Sequence, residues 1–227
     1  MSDATPKAAW QLRSWRSNAD AWAEVIRTHG IASRTVTNRA IAEAVRRVDA
    51  DRAVDLGCGE GWLVRTLLED GIDAMGVDAT EELIRHAQTS GPGRYVVATY
   101  DEIAEGALGE LRTDLVISNF ALLDELGTAR LVHHVPKLLR PAGTFLIQTA
   151  HPWSVGGLYQ SGWRTGSWEG FGDAFVDPAP WYFRTLANWL TLFTAAGLRL
   201  IEVLEPMSDA TGQPASILFR LQTDALQ

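Results

Sequence analysis

The sequence has a single cysteine, Cys58, and lacks any long apolar run. A lone thiol cannot form an internal disulfide, so the chain does not require an oxidising compartment. No stretch reaches the roughly 18 consecutive apolar residues that indicate a membrane helix. The amino-terminal stretch also lacks an apolar core of signal-peptide length. We therefore expect a cytoplasmic protein without a membrane partner.

Positive charge is scarce as well, because 20 Lys and Arg residues face 28 Asp and Glu residues and give a net charge of −8 at pH 7. Proteins that bind a nucleic-acid backbone usually carry a basic stripe, so this balance disfavours a nucleic-acid partner. No compact set of Asp, Asn and His residues near the fourth predicted strand suggests a metal site. We expect a small-molecule partner and no metal ion, and no feature predicts an oligomeric state.

Tryptophan, by contrast, is abundant, with nine residues in the chain. Three lie near the amino terminus and five lie late in the sequence: Trp10, Trp15 and Trp22, then Trp153, Trp163, Trp168, Trp181 and Trp189. Only Trp62 falls in the middle. The aromatic residues are thus concentrated in two segments that flank a central region.

Strands and helices alternate along this central region. Predicted strands cover residues 52–56, 72–77, 95–98, 115–118 and 144–149, with helices after the first, second and fourth. Such alternation over about 100 residues is typical of a parallel sheet with helices on both faces. The last of these helices spans residues 128–139 and contains Pro136, which should kink or interrupt it.

The flanks follow other patterns. The spacing of Trp15, Ala19, Trp22 and Ile26 predicts a helix with one apolar face, and a second helix is predicted over 37–48. After the fifth strand comes an irregular segment, 151–180, which is too long for a simple connector and is therefore expected to be functional. We predict one domain, 1–227, with a helical cap (1–49), a core (50–150), an insertion (151–181) and a carboxyl-terminal helix and strands (182–227).

The run V-D-L-G-C-G-E-G lies between the first predicted strand and its helix. It places Asp55, Gly57, Gly59 and Gly61 at the turn. Glycines let the chain turn tightly and let a ligand approach the backbone, and the following helix directs free N–H groups toward the same space. The pattern predicts a nucleotide-type ligand at the carboxyl end of this strand.

The spacing of this run narrows the ligand. The third glycine comes one residue too early for the dinucleotide fingerprint, because Trp62 stands where that glycine belongs, and no lysine follows as in a P-loop. Asp78 ends the second strand and can accept hydrogen bonds from both hydroxyls of a ribose. An adenosine ligand without a pyrophosphate fits best. An NAD-linked oxidoreductase and a non-catalytic binding module remain alternatives.

The motif D-x-G-x-G-x-G followed by an acid after the second strand resembles the class I S-adenosylmethionine-dependent methyltransferase family, in particular small bacterial members without an assigned substrate. The resemblance covers roughly residues 50–150. It implies an α/β fold with a doubly wound, seven-stranded mixed sheet in the order 3-2-1-4-5-7-6, with strand 7 antiparallel. It also implies an N-terminal helical cap, a lid insertion after strand 5, and S-adenosyl-L-methionine as cofactor.

The implied cofactor-binding residues come from the cap, the glycine run and the ends of the strands: Arg34, Asp55, Gly57, Cys58, Gly59, Asp78, Ala79, Thr99, Tyr100, Asn119 and Phe120. Asp55 would lie near the cofactor's ammonium group, Asp78 would bind the ribose and Ala79 would pack on adenine. Thr99 occupies the place where the family often has an acid. Arg34 either meets the cofactor carboxylate or lies in solvent.

Methyl transfer mainly requires alignment and exclusion of water, so the acceptor pocket should be concave, apolar and covered. The two tryptophan-rich flanks would enclose it. The insertion resembles the tail of some small bacterial methyltransferases, which suggests a lid. The candidate acceptor-binding residues are Trp22, Trp153, Trp163, Trp168, Tyr182 and Arg184, although clustered tryptophans also serve packing.

Two residues are candidates for removing a proton from the acceptor. His151 directly follows the fifth strand, and an imidazole suits proton transfer near neutral pH. It could instead hold the turn before Pro152. Asp124 follows the fourth strand and could instead cap the next helix. The sequence thus predicts methyl transfer to an O, N or C nucleophile of a small, aromatic or heterocyclic acceptor.

Overall fold

The computed structural model describes residues 5–223 and contains seven helices and nine strands in that range. The helices are α1 (Pro6–Arg27), α2 (Arg34–Arg46), α3 (Trp62–Glu69), α4 (Glu81–Ser90), α5 (Tyr100–Ala104), α6 (Leu126–Leu138) and α7 (Leu186–Ala195). The strands are β1 (Arg52–Leu56), β2 (Asp73–Asp78), β3 (Arg94–Val97), β4 (Thr113–Asn119), β5 (Leu139–Thr149), β6 (Gly162–Arg164), β7 (Trp181–Phe183), β8 (Leu198–Leu204) and β9 (Ile217–Thr223). Residues 1–4 and 224–227 of the predicted domain lie outside the described residues, so the predicted domain limits stay a prediction.

Seven strands form one sheet in the order β3-β2-β1-β4-β5-β9-β8. The strands β1 to β5 pair in parallel, whereas β9 runs antiparallel to both β5 and β8. Counted within this sheet alone, the order is 3-2-1-4-5-7-6 with the last strand reversed. The predicted fold class is confirmed.

Helices cover both faces of the sheet because its central strands are apolar on both sides. On one face, Leu56 and Phe145 pack with α6 and α7. On the other face, Ala53 and Leu146 pack with α2 and α3. Parallel strands buried in this way bring their carboxyl ends to one edge of the sheet, where the loops that follow β1, β2, β3 and β4 converge.

Several local features differ from the prediction. Helix α5 is fixed by a capping box between Thr99 and Glu102, a T-x-x-E signal that the sequence carried. Helix α6 continues through Pro136 to Leu138, so the proline does not end it. Strand β5 begins at Leu139, five residues before the predicted start at Thr144, with a register shift against β4. The strands β6 and β7 form a separate two-stranded sheet that is too short to show a period.

Helix α1 buries a different face from the one that its apolar spacing predicted. Its buried residues are Ser14, Asn18 and Ala19. The side-chain amide of Asn18 exchanges two hydrogen bonds with the backbone of Val176 at 2.7 and 2.8 Å, and Ser14 Oγ donates to the carbonyl oxygen of Asp177 at 2.6 Å. The helix therefore binds the insertion through polar groups. Strand β7 crosses the predicted end of the insertion at residue 181.

Candidate functional site

A cavity of about 680 Å³ lies at the carboxyl ends of the parallel strands, and we refer to it as the first cavity. The turn after β1, the ends of β2 and β4, helix α5 and the inner face of α1 form its walls. Its volume falls within the range of about 300–1,000 Å³ that is usual for small-molecule sites. Ten of the predicted cofactor residues line it: Arg34, Gly57, Cys58, Gly59, Asp78, Ala79, Thr99, Tyr100, Asn119 and Phe120.

The glycine loop, residues 57–61, has a backbone that side chains would not permit. Gly57 has φ +82°, and a Cβ atom on it would lie 2.2 Å from the Cβ of Ala121. The N–H groups of Gly57 and Cys58 both donate to the carbonyl oxygen of Val77, at 2.7 and 3.0 Å. These contacts hold the loop between β2 and the turn after β4. The remaining side of the loop faces the first cavity.

Asp78 connects the glycine loop to the end of β2. Its two carboxylate oxygens accept hydrogen bonds from the N–H of Gly59 at 2.9 Å and from the N–H of Thr80 at 2.8 Å. Burial raises the pKa of Asp78 above its usual value. An ionised carboxylate has about four acceptor positions, so two remain for hydroxyl donors in the cavity. The geometry is suited to a vicinal diol such as that of a ribose.

Asp55 is buried just behind the loop rather than on the cavity wall. Only 2% of it is exposed, and its Oδ1 has no hydrogen-bond partner. Burial, together with the negative charges of Asp78 and Glu60, raises the pKa of Asp55 to about 8. A cation close to a buried carboxylate stabilises the ionised form of that carboxylate. The site therefore favours a positively charged ligand group.

Arg34 contributes the opposite charge from helix α2. Its Nη2 is buried without a partner, and its guanidinium lies 5.2 Å from the ring centroid of Trp62 and 5.9 Å from that of Trp22. Burial lowers the pKa of Arg34. An unpaired Nη2 on Arg34 together with the buried carboxylate behind the loop suits a ligand that carries both a carboxylate and an ammonium group. The predicted alternative, in which Arg34 lies in solvent, is not what the structure shows.

The remaining predicted cofactor residues form the floor and side of the first cavity. Asn119 Oδ1 has no partner, and Phe120 adopts φ +55° while its N–H donates to Gln148 at 2.8 Å. The hydroxyl of Tyr100 donates to the carbonyl oxygen of Ala121 at 3.0 Å, and burial raises its pKa. Thr99 caps α5. Glu102, which no cofactor-binding motif marks, also lines the first cavity, and its carboxylate accepts from the N–H and the hydroxyl of Thr99 at 2.7 and 2.8 Å.

A second cavity of about 320 Å³ adjoins the first. The two share six residues: Gln11, Trp15, Trp22, Arg34, Phe120 and Leu123. Aromatic side chains of the insertion form the outer wall, where Trp168 meets Trp15 edge-to-face at 5.4 Å between ring centroids. Phe171 and Trp181 complete this wall. Among the described residues that line it, Arg34 is the only ionisable one.

Trp22 and Trp168 line the second cavity, and their contact with an acceptor stays a prediction, whereas the other candidate acceptor residues line neither cavity. Trp153 is 69% exposed and stacks on Tyr159 at 4.4 Å. Trp163 Nε1 donates to Glu125 at 3.0 Å, on the outer side of the turn that follows β4. The interpretation of Trp153 and Trp163 as acceptor-facing residues is therefore corrected, because each is engaged in a contact outside the cavities.

Tyr182 and Arg184 also belong to the supporting layer. Arg184 is buried and donates to the carbonyl oxygens of Asp124 at 3.0 Å and Glu125 at 2.7 Å. Its guanidinium lies 4.7 Å from the ring centroid of Tyr182, whose N–H donates to Leu123 at 2.8 Å. Both residues hold the turn after β4 from behind. They are not acceptor-facing in this structure.

His151 lies outside both cavities and is only 3% exposed. Its Nδ1 accepts a hydrogen bond from the N–H of Trp153 at 3.3 Å, so the proton of the neutral ring lies on Nε2, which faces Glu205 at 2.7 Å. Neither nitrogen has a lone pair left for an acceptor. The structure therefore corrects the prediction of a base and agrees with the alternative, a histidine that holds the turn.

Asp124 caps helix α6 and also lines the first cavity. One carboxylate oxygen accepts from the N–H of Gly127 and caps α6, while Oδ1 is buried without a partner. The residue lines the first cavity and is 8% exposed. A carboxylate held on one oxygen and free on the other can accept a hydrogen bond from a ligand.

Two further observations concern residues 5–223 only. No helix in this range has the length and apolar character that crossing a membrane requires. Within the same range, no group of three or more His, Cys, Asp or Glu residues is arranged to hold a metal ion. The cytoplasmic location and the absence of a metal stay predictions.

The geometry can now be compared with known proteins. Residues 53–143 match the profile of a family described as a methyltransferase domain. The chain is 24% identical over 176 residues to an uncharacterised methyltransferase of Schizosaccharomyces pombe, covering 75% of this chain and 67% of that protein. It is 30% identical over 101 residues to the ubiquinone biosynthesis O-methyltransferase of Methylococcus capsulatus, covering 43% of each protein.

Solved structures show the same fold. The 1,6-didemethyltoxoflavin-N1-methyltransferase of Burkholderia thailandensis, solved with 1,6-didemethyltoxoflavin and S-adenosylhomocysteine, superposes with a TM-score of 0.69 at 20% identity and covers 99% of this chain and 92% of its own. An S-adenosylmethionine-dependent methyltransferase of Mesorhizobium loti superposes with a TM-score of 0.62 at 24% identity, covering 85% of this chain and 98% of its own.

The sheet order and the reversed last strand define a Rossmann-like methyltransferase fold, with the glycine loop and the first cavity at its strand ends. Residues 53–143 match the methyltransferase-domain family, and the fold is the one found in S-adenosylmethionine-dependent methyltransferases. The protein is a methyltransferase, and its methyl donor is S-adenosyl-L-methionine.

Proposed function

We propose that this enzyme methylates an O, N or C nucleophile on a small aromatic or heterocyclic acceptor that binds in the second cavity. The observation that carries the proposal is the aromatic cavity itself, which opens onto the first cavity along a shared wall that includes Phe120 and Leu123. Flat rings pack favourably against an aromatic wall such as the one formed by Trp15, Trp168 and Phe171. The arrangement would bring such a ring to the edge of the cofactor site.

Within the first cavity, we propose a division of roles that follows charge and geometry. Arg34 binds the carboxylate of the cofactor, and the negative charge of Asp55 favours its ammonium group. Asp78 binds the ribose through the acceptor positions that its backbone contacts leave open. Asn119 and Phe120 lie beside the place where the reactive sulfur would be, at the wall shared with the second cavity or next to it.

The cofactor supplies a methyl group activated by a positively charged sulfur, so the protein's part is alignment, exclusion of water and, where required, removal of one proton. The aromatic wall of the second cavity excludes water. Since His151 lies elsewhere, Asp124 is our remaining candidate for proton removal, because its Oδ1 is buried and unpaired in the first cavity.

Two relatives support a ring-bearing acceptor. By their names, one methylates N1 of 1,6-didemethyltoxoflavin and the other is an O-methyltransferase of ubiquinone biosynthesis. The likeness to the first rests on fold, and this chain spans less than half of the second. These two names therefore do not decide between nitrogen and oxygen as the atom that receives the methyl group.

The test is a turnover screen that follows release of S-adenosylhomocysteine from purified enzyme supplied with S-adenosylmethionine and a library of phenols, lactams and fused heterocycles. We expect release with a subset of the ring compounds and none with open-chain amines, alcohols and carboxylates of similar size. Binding of S-adenosylmethionine is measured in parallel by calorimetry. The proposal fails if the cofactor binds but no ring compound accelerates its turnover.

A further inference from the structure

Gln11, on helix α1, lies on the wall that the two cavities share. Its side-chain amide joins three parts of the molecule. Nε2 donates to the carbonyl oxygen of Leu123 at 2.9 Å, in the turn after β4, and to that of Pro180 at 2.8 Å, in the insertion. These are long-range contacts, so the position of the amide is set by the assembled fold rather than by its own helix.

The two contacts also fix which end of the amide is which. Both partners are carbonyl oxygens, which only accept hydrogen bonds, so the NH₂ group must face them and both of its hydrogens are used. The flipped amide would place its own oxygen against two other oxygens and is excluded by repulsion. Oε1 is left over, and within residues 5–223 it has no hydrogen-bond partner. A single acceptor atom with a fixed orientation thus belongs to a residue that lines both cavities.

Resting on the proposed function, we propose that Gln11 determines acceptor specificity by accepting, through Oε1, a hydrogen bond from an N–H or O–H group on the acceptor ring. Because the proposed function assigns Arg34 to the cofactor carboxylate, recognition of the ring falls to the amide oxygen of Gln11, which can only accept. An acceptor atom at this place favours rings that present an N–H or O–H group, such as lactams and hydroxylated heteroaromatics.

This arrangement should discriminate strongly against a methylated edge. A ring whose N–H or O–H has been replaced by N–CH₃ or O–CH₃ leaves Oε1 without a partner in a largely apolar cavity, and it also adds a methyl group at the wall. Sites that hydrogen-bond a polar group of the ligand reject analogues that lack it, because the partly buried partner is left unpaired. The site would thus reject a ring that is already methylated on the edge facing Gln11, which is a different edge from the one that receives the methyl group.

The test compares matched ring pairs in the presence of S-adenosylhomocysteine. The probes are quinazolin-4(3H)-one with its 3-methyl derivative, and 2-naphthol with 2-methoxynaphthalene. Dissociation constants are measured by quenching of tryptophan fluorescence and checked by calorimetry. For the wild type, we expect the donor-bearing member of at least one pair to bind about tenfold more tightly or better.

Two variants separate recognition from the joining role of the amide. Gln11→Met and Gln11→Leu each remove every polar atom of the side chain, the first with an unbranched and the second with a branched side chain. We expect both variants to bind the two members of the pair equally within about twofold. A purely structural role would weaken both rings alike in both variants and leave the ratio unchanged.

The outcomes distinguish this proposal from the proposed function. If S-adenosylhomocysteine binds and neither ring of either pair does, the proposed ring acceptor fails and this inference fails with it. If the rings bind without a wild-type preference, or if Gln11→Met keeps the preference, only the role of Gln11 is overturned. If Gln11→Met loses S-adenosylhomocysteine binding, the wild-type and Gln11→Leu ratios are compared with the same limits.

Discussion

The two cavities are built from different parts of the molecule. The first owes its shape to the strand ends and to a glycine loop with positive φ angles, and three buried acids, Asp55, Glu60 and Asp124, lie around it. The second is formed by side chains of α1 and the insertion, which meet through Asn18, Ser14 and a set of edge-to-face aromatic rings. Backbone constraints tolerate little change, whereas an aromatic wall can be reshaped by single substitutions. This contrast explains how one cofactor site can serve many acceptors.

The largest expected effect is at the backbone of the first cavity. Gly57→Ala places a Cβ atom 2.2 Å from that of Ala121 at φ +82°. We expect a loss of about 3 kcal/mol or more in the free energy of unfolding from strain and overlap together. Affinity for S-adenosylmethionine should fall by about 100-fold, because the loop must move. Urea unfolding and calorimetry measure the two effects.

Gly71→Ala is the matched control for this comparison. Gly71 has a similar φ of +84°, but a Cβ on it meets nothing within 4 Å. It should lose only about 1 kcal/mol from backbone strain and keep its cofactor affinity. Equal losses in the two variants would show that strain alone, and not contact with the turn after β4, defines the first cavity.

The next effect concerns the aromatic wall of the second cavity. Trp168→Ala removes a ring that contacts Trp15, Phe171 and Phe175. We expect kcat/KM for a ring acceptor to fall by about 30-fold, with the affinity for S-adenosylmethionine unchanged within about twofold. Trp153→Ala, on the exposed outer side, is the control and should leave both unchanged. Similar losses in the two variants would remove the distinction between the inner and outer tryptophans.

A smaller effect should appear in the pH dependence of cofactor binding. The pKa of Asp55 is raised to about 8 by burial and by its acidic neighbours, so below that pH the side chain is mostly neutral. A cationic ligand favours the ionised form. Affinity should therefore rise by about tenfold from pH 7 to pH 9, with proton release on binding at pH 7. Calorimetry in buffers of different ionisation enthalpy measures the protons released.

Asp55→Asn provides the control for this pH dependence and also tests its sign. In this variant, the affinity for S-adenosylmethionine should depend on pH only through the ligand's own amine. Since the raised pKa means that ionised Asp55 destabilises the ligand-free fold, wild-type stability should fall between pH 4 and pH 8 relative to the variant. A variant with the same pH profile as the wild type would assign the effect to another group.

The smallest effect on activity is expected at His151. Both of its ring nitrogens are occupied, by Glu205 and by the N–H of Trp153. His151→Ala should change kcat by less than about threefold, whereas loss of a general base typically costs about 100-fold or more. The free energy of unfolding should fall by about 1–2 kcal/mol from the lost buried contacts. A loss in kcat of about 100-fold or more would instead indicate that His151 takes part in the reaction.

The residues that line the cofactor cavity could be predicted from the sequence because the motif that marks them is local. Glycines at fixed spacing and an acid near the end of each of two strands, Asp55 in β1 and Asp78 in β2, mark positions that the sheet brings together. The acceptor half depends on contacts between residues more than 100 positions apart, such as Gln11 with Leu123 and Pro180. Whether Trp168 faces inward and Trp153 outward depends on how the insertion docks on α1. That docking uses buried polar groups, Ser14 and Asn18, which an apolar pattern does not reveal.

The most direct measurement is the structure of the enzyme crystallised with S-adenosylhomocysteine and quinazolin-4(3H)-one. We expect adenosine density with its ribose on Asp78, the amino-acid carboxylate at Arg34, and the ring against the wall formed by Trp15 and Trp168 with its N–H toward Gln11 Oε1. Density for the ring on the outer surface at Trp153 and Tyr159, or a cofactor that avoids the glycine loop, would contradict this expectation.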